Sequence, residues 1–155
     1  MADTKPPRDR RDEIGSVRML LQYQRESFAR KLDGVDEEAA RRALVPSGTT
    51  LLWLATHMAD AELLWVLVRF DGADRDVLDA DVETVEAAVA RYRSTWSRVD
   101  AVIDARDDLD QLAVDTGDED PVTLRWILLH LLEETARHAG HADILRELVD
   151  GQVGR

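Results

Sequence analysis

Cysteine is absent from the chain. No disulfide framework can form, so secretion gains no support, and a cysteine nucleophile is excluded. If thiol chemistry happens here, the thiol must arrive with a ligand. Positive charge is also scarce: 20 Lys and Arg stand against 32 Asp and Glu, a formal net charge of -12. Such an acidic surface repels nucleic acid and anionic lipid. It suits a cytoplasmic protein with small-molecule or protein partners, no nucleic acid and no membrane. A clean apolar run is missing too. The longest apolar stretch, Leu51–Phe70, contains His57, Asp60 and Glu62 and does not read as a membrane span. The N-terminal "MADTKPPRDRRDE" lacks the apolar core of a signal peptide, and its prolines and charges predict a mobile lead-in over residues 1–12.

What is present is helical. The 155 residues are 45% apolar, a natural size and filling for one domain, expected over residues 13–151. Ile14, Val17, Leu21, Phe28 and Leu32 share one helical face, and Gly34 ends that helix. "DEEAARRAL" predicts a short helix capped by Asp36, and "VPSGTT" a turn that supplies the Ser/Thr cap of a second long helix, Thr50 to Phe70. Val85, Val89, Tyr92, Trp96, Val99 and Ile103 mark a third. Asp120 and Pro121 look like the N-cap and first residue of a fourth, which runs to Asp150 and stops at Gly151. There is no strand pattern and no internal repeat. The expected fold class is all-α, a four-helix bundle plus a short extra helix.

All four histidines lie on apolar helix faces. At about 100° per residue, His130, Glu134, His138 and His141 fall within roughly an 80° arc. Leu124, Ile127, Leu131, Leu145, Leu148 and Val149 share that side, with Arg146 and Glu147 opposite. His57 repeats the pattern on the second helix, flanked by Leu54, Ala61, Leu64 and Val68. A lone inward histidine is usually a satisfied core residue. Several of them, with an inward carboxylate that is costly to bury unpaired, point to a divalent metal.

Glu134 and His138, one turn apart, can reach a single ion, and His57 supplies a third ligand from a facing helix. Two His and one Glu with an open fourth position is a catalytic zinc set; it also suits nickel, iron or manganese. His141 is near enough to replace Glu134 or to act as a base, and His130 is better placed to support the ligands from behind. Spacing alone leaves His138 with His141 open as the ligand pair. Glu133, about 100° from Glu134, is the weaker candidate. Neither H-E-x-x-H, nor the E-x-x-H pairs of di-iron bundles, nor GxGxxG, nor a P-loop occurs.

Gln24, on the apolar face of the first helix, is a candidate ligand contact, although a residue reaching water is the simpler reading. Trp53, Trp65, Trp96, Trp126 and Tyr92 are expected as core or interface residues. The second helix has another apolar side, Leu52, Ala59, Leu63, Val66 and Phe70, which needs covering by the bundle or by a partner; a homodimer through that helix is the expectation.

The segments "LVPSGTTLLWLATHMADAELLW" and "DPVTLRWILLHLLEETARHAGHADILRELVDG" closely resemble the DinB-like metal-dependent superfamily, in its actinobacterial mini-circle-protein branch. The resemblance runs over most of residues 13–151. It implies an up-up-down-down four-helix bundle, often dimeric, with metal ligands at His57, Glu134 and His138. Many DinB-like relatives have histidine where this chain has Glu134; the more distant mycothiol-dependent maleylpyruvate isomerases have glutamate. Characterised relatives use mycothiol or bacillithiol, so the resemblance implies a metal-dependent thiol S-transferase or isomerase acting on a small electrophile; by their place on the ligand face, His141 and His130 are the candidates to steer protons. A non-catalytic metal- or ligand-binding bundle and a metal-dependent hydrolase are the competing functions.

Overall fold

The computed structural model describes residues 5–8 and 11–153; the rest of the expected lead-in, residues 1–4, 9 and 10, lies outside them. Five α-helices follow one another: α1 (Glu13–Leu32), α2 (Glu37–Arg41), α3 (Leu51–Glu62), α4 (Val85–Asp104) and α5 (Leu124–Asp150). The four long ones form the bundle. α1 packs mainly on α5 and α3 on α4, with α3 also against α5. First-with-last and second-with-third pairing is that of a bundle with crossover connections, and the all-α expectation holds.

Local chemistry sets the helix starts. Asp12, Asp36, Thr50 and Thr84 each accept a hydrogen bond from a backbone N–H of the first turn, a cap typically contributing about 1 kcal/mol. α5 begins later than Asp120–Pro121 suggests. Thr123 is its cap, accepting from Trp126 N. The physical reason is a short antiparallel pairing: Ala113 N donates to Val122 O and Leu124 N to Gln111 O, which holds 122 and 123 extended up to the helix start. At the other end Gly151 takes φ 74° and its N–H closes on Glu147 O, a conformation glycine adopts without strain.

The helix expected over Thr50–Phe70 is continuous, but its last eight residues, Leu63–Phe70, are wound as a π-helix. The wider winding carries Leu63, Val66, Leu67, Val68 and Phe70 into the core together. The second apolar side is therefore covered within one chain: Leu52, Ala59, Leu63, Val66 and Phe70 are all buried. Of the two expected covers, the bundle itself is the one the fold supplies for these five residues, so their burial needs no partner chain. Leu51–Phe70 is long and apolar enough to cross a membrane, yet 67% of its most apolar window is buried inside the bundle.

Four charged side chains, Arg25, Lys31, Glu62 and Arg146, lie where an apolar reading does not place them. Arg25, on α1, reaches Glu62 on α3 through Nε at 2.9 Å and Nη2 at 2.5 Å, and Asp100 on α4 through Nη1 at 2.9 Å. Its side chain is 2% exposed and that of Glu62 0%. Burial pushes the Glu62 carboxyl up, against the pull of the guanidinium. Arg146, expected to face away from the core, is buried and donates from Nη1 to Lys31 O at 2.8 Å and Asp33 O at 2.9 Å. It thereby satisfies carbonyls at the C-terminal end of α1, groups that would otherwise lack donors. Lys31, also buried, donates to Ser27 Oγ at 2.8 Å and pairs with Asp143.

Breaking the central pair leaves an uncompensated buried carboxylate. Arg25→Ala is expected to lower the unfolding free energy by about 3–5 kcal/mol. The double change Arg25→Met with Glu62→Leu should recover much of that loss, because it removes both charges and refills the volume. Urea unfolding of the three proteins checks this; a single variant as stable as the parent would contradict it.

Candidate metal centre

α3 and α5 present the residues of the site. Thr50 starts α3 and sets the phase that aims His57 at α5. One turn earlier, Trp53 stacks on the His57 ring, centroids 4.8 Å apart and planes 6° from parallel. This holds the plane of the imidazole. On α5 the buried positions run through Leu124, Ile127, Leu128, Leu131, Thr135, Ala139, Ala142, Leu145 and Arg146. Glu134 and His138 stand on the flank of that stripe rather than in its middle, and Leu148, expected among the inward residues, is 54% exposed. The small Ala139 and Ala142 are buried beside them.

On this flank the side chains converge. Glu134 Oε1 lies 3.1 Å from His57 Nε2 and 3.1 Å from His138 Nε2, and one atom from each of the three falls within 4.8 Å of the others. The side chains are 31%, 15% and 12% exposed for His57, Glu134 and His138. The group is half-buried and open on one side.

Its protonation suits a cation. Burial pushes Glu134 up, but hydrogen bonding to His57 and the attraction of His138 outweigh it, so the carboxyl sits below its usual value. Burial, aided by repulsion from the neighbouring histidines, outweighs Glu134 and holds His138 below its usual value. The two directions together describe an ionised carboxylate beside a neutral imidazole, the forms in which both bind metals. A tetrahedral ion with ligands at about 2.0–2.2 Å places them about 3.3–3.6 Å apart, a little wider than the two 3.1 Å separations. The donor set therefore fits a divalent metal.

His141 stands next to the three, its Nδ1 3.2 Å from His138 Nδ1. A His138 Nδ1–H donating there leaves the Nε2 lone pair facing Glu134 and His57, the arrangement by which outer partners orient ligating histidines. Beyond His141, Val45, Ser47, Thr49, Ile144 and Leu145 enclose a cavity of about 220 Å³ with it. His130 lies elsewhere. Its ring stacks on Trp126 at 4.9 Å and meets Trp65 edge-on at 4.8 Å, and its Nδ1 is 3.8 Å from Glu133. Glu133 pairs with Arg137. Gln24 is half-buried on α1 and is not a hydrogen-bond partner of Glu134, His57 or His138.

Two neighbours escaped the sequence reading. Trp53 was expected in the core or an interface, yet it is 51% exposed; its position four before His57 was the available signal. Arg137 approaches the second carboxylate oxygen of Glu134 at 3.9 Å, three residues away on the same helix. Trp96 and Tyr92 are core residues as expected.

Removing one imidazole should abolish tight binding of a divalent ion. Wild type loaded with zinc is expected to keep about one ion per chain through gel filtration, and His57→Ala and His138→Ala to lose it, as read by elemental analysis. Full stoichiometry in both variants would reject this ligand set.

No curated protein matches the sequence. Among solved structures, a conserved protein from Enterococcus faecalis superposes with a TM-score of 0.64 at 17% identity, covering 92% of this chain and 100% of its own; at that identity the likeness concerns the fold. A family model described as mycothiol-S-transferase matches residues 16–151, a span that holds every helix but the first three residues of α1 and all three converging side chains. The chain belongs to the mycothiol-S-transferase family, of the DinB-like kind.

Proposed function

We propose that the protein is a cytoplasmic, metal-dependent S-transferase that joins a low-molecular-weight thiol of the mycothiol type to a small electrophile. The observation that carries this reading is the half-open convergence of His57, Glu134 and His138 in a cysteine-free chain of this family. With three protein ligands the fourth position is left for an incoming atom. Zinc is the metal we favour; the same donors also suit nickel, iron and manganese. A bound divalent ion would lower the thiol's pKa and stabilise its thiolate near neutral pH.

The protein's own groups do the rest. His57 and His138 bring imidazole nitrogens and Glu134 a carboxylate oxygen. The stacked Trp53 and the Nδ1 contact to His141 fix the ring orientations. His141, exposed beside the site, is placed to pass the thiol proton to water. The sulfur then forms a bond to the electrophilic carbon, and the leaving group departs with the electron pair of the bond that breaks. The cavity beside His141, about 220 Å³, is large enough for a ring with a short substituent, since an apolar cavity of about 150 Å³ accepts benzene. We assign the apolar part of the electrophile to it.

Cobalt in place of zinc gives a visible probe. Adding mycothiol, or the shorter N-acetylcysteine, should produce a sulfur-to-cobalt charge-transfer band, and the band should be missing in Glu134→Ala if that variant no longer holds the ion. A cobalt site that is intact and ignores both thiols would contradict the S-transfer reading and favour hydrolysis or a non-catalytic role.

A further inference from the structure

A second cavity opens toward the N-terminal end of α5. It measures about 720 Å³ and is lined by Trp65, Arg69, Asp118, Glu119, Asp120 and Trp126, among others. That volume is in the range of small-molecule sites, about 300–1,000 Å³. The two indoles lie 5.2 Å apart, tilted by 53°. The π-helical segment displays Trp65 and Arg69 on one side, with the guanidinium 4.2 Å from the Trp65 ring and 3.3 Å from Glu119. The loop after α4 is tied down beside them, since Val114 N and Asp115 N both donate to Arg69 O. Trp126 is backed by the stacked His130 ring and remains 44% exposed.

We infer that this cavity binds the polyhydroxylated rings of the thiol cosubstrate, with Trp65 and Trp126 as platforms and the 118–120 carboxylates and Arg69 as partners for hydroxyl groups. The inference rests on the S-transfer reading for the identity of the thiol. Three features of the cavity favour such an occupant. Sugar and inositol rings have an apolar C–H face and a rim of hydroxyls, which suits a rigid aromatic surface bordered by polar groups. The acidic border repels anionic ligands, while neutral hydroxyls can donate to it. Distance agrees as well. Trp126 and Glu134 are eight residues apart on α5, about 12 Å at 1.5 Å per residue. In mycothiol about eight bonds separate the sulfur from the second ring, a reach of about 10 Å. A thiol with its sulfur at Glu134 can therefore lay its rings over His130 toward Trp126.

The test uses the whole protein without metal and a sulfur-free probe, N-acetylglucosaminyl-inositol. The chain has four tryptophans, so four indole N–H signals report on the site, assigned by Trp→Phe substitution. Titration to about 20 mM, well above a millimolar Kd, should shift the Trp65 and Trp126 signals and leave the buried Trp96 in place. In the cobalt protein, Trp126→Ala should weaken mycothiol about tenfold and N-acetylcysteine by less than about twofold, while Trp126→Phe restores most of the mycothiol affinity. Absence of probe shifts at both Trp65 and Trp126, or equal weakening of the two thiols, would overturn the inference. Cobalt that ignores N-acetylcysteine would instead count against S-transfer, and the metal-free and thiol-free titration still decides the ring site.

Discussion

Glu134 Oε1 is shared between an imidazole of α3 and one of its own helix, 3.1 Å from each, and the geometry of the site is built around this contact. It joins α3 to α5 on the flank of the bundle and brings a carboxylate oxygen and two imidazole nitrogens together without a protein cation of equal standing. Arg137 stays 3.9 Å from the other carboxylate oxygen and is 57% exposed, so solvent screens it. Three donor groups converge there with only peripheral positive charge, a set that fits a small cation.

The Arg25–Glu62–Asp100 group shows the contrast. There the carboxylate is fully enclosed and meets a guanidinium in two-point contact. Its charge is answered inside the protein, and the result ties α1, α3 and α4 into one core. One buried carboxylate is closed and structural; the other is half-open and available. Glu62 and His57 are on the same helix five residues apart, so the pair that fixes α3 in the core also helps hold the His57 imidazole in place.

Much of this was legible in the residues. Caps at Asp36 and Thr50, the four-helix pattern and the stop at Gly151 follow from local chemistry. The juxtaposition of His57 with Glu134 and His138 was expected from helix faces and one-turn spacing, and it is what the fold brings together. The misreadings have physical causes. Leu63–Phe70 has an ordinary helical composition, so its π winding, set by tertiary packing, leaves no local mark. Pro121 suits a first helical turn, but pairing with residues 111–113 holds that strand-like stretch extended. Arg25, Lys31 and Arg146 are charged by type and buried by circumstance, because their partners are 37, 112 and 115 residues distant in sequence (Glu62, Asp143 and Lys31 O). His130 shares the arc of the other α5 histidines, yet two turns of rise place it among Trp65 and Trp126 instead.

The central claim is that His57, Glu134 and His138 hold a metal whose remaining position takes an exogenous sulfur. X-ray absorption at the zinc edge measures this directly, and the absence of cysteine makes the spectrum easy to read. Without thiol, the account requires a shell of nitrogen and oxygen only, at about 2.0–2.2 Å. With mycothiol or N-acetylcysteine added, one sulfur should appear at about 2.3 Å. A zinc shell that stays all nitrogen and oxygen at saturating thiol would contradict the account.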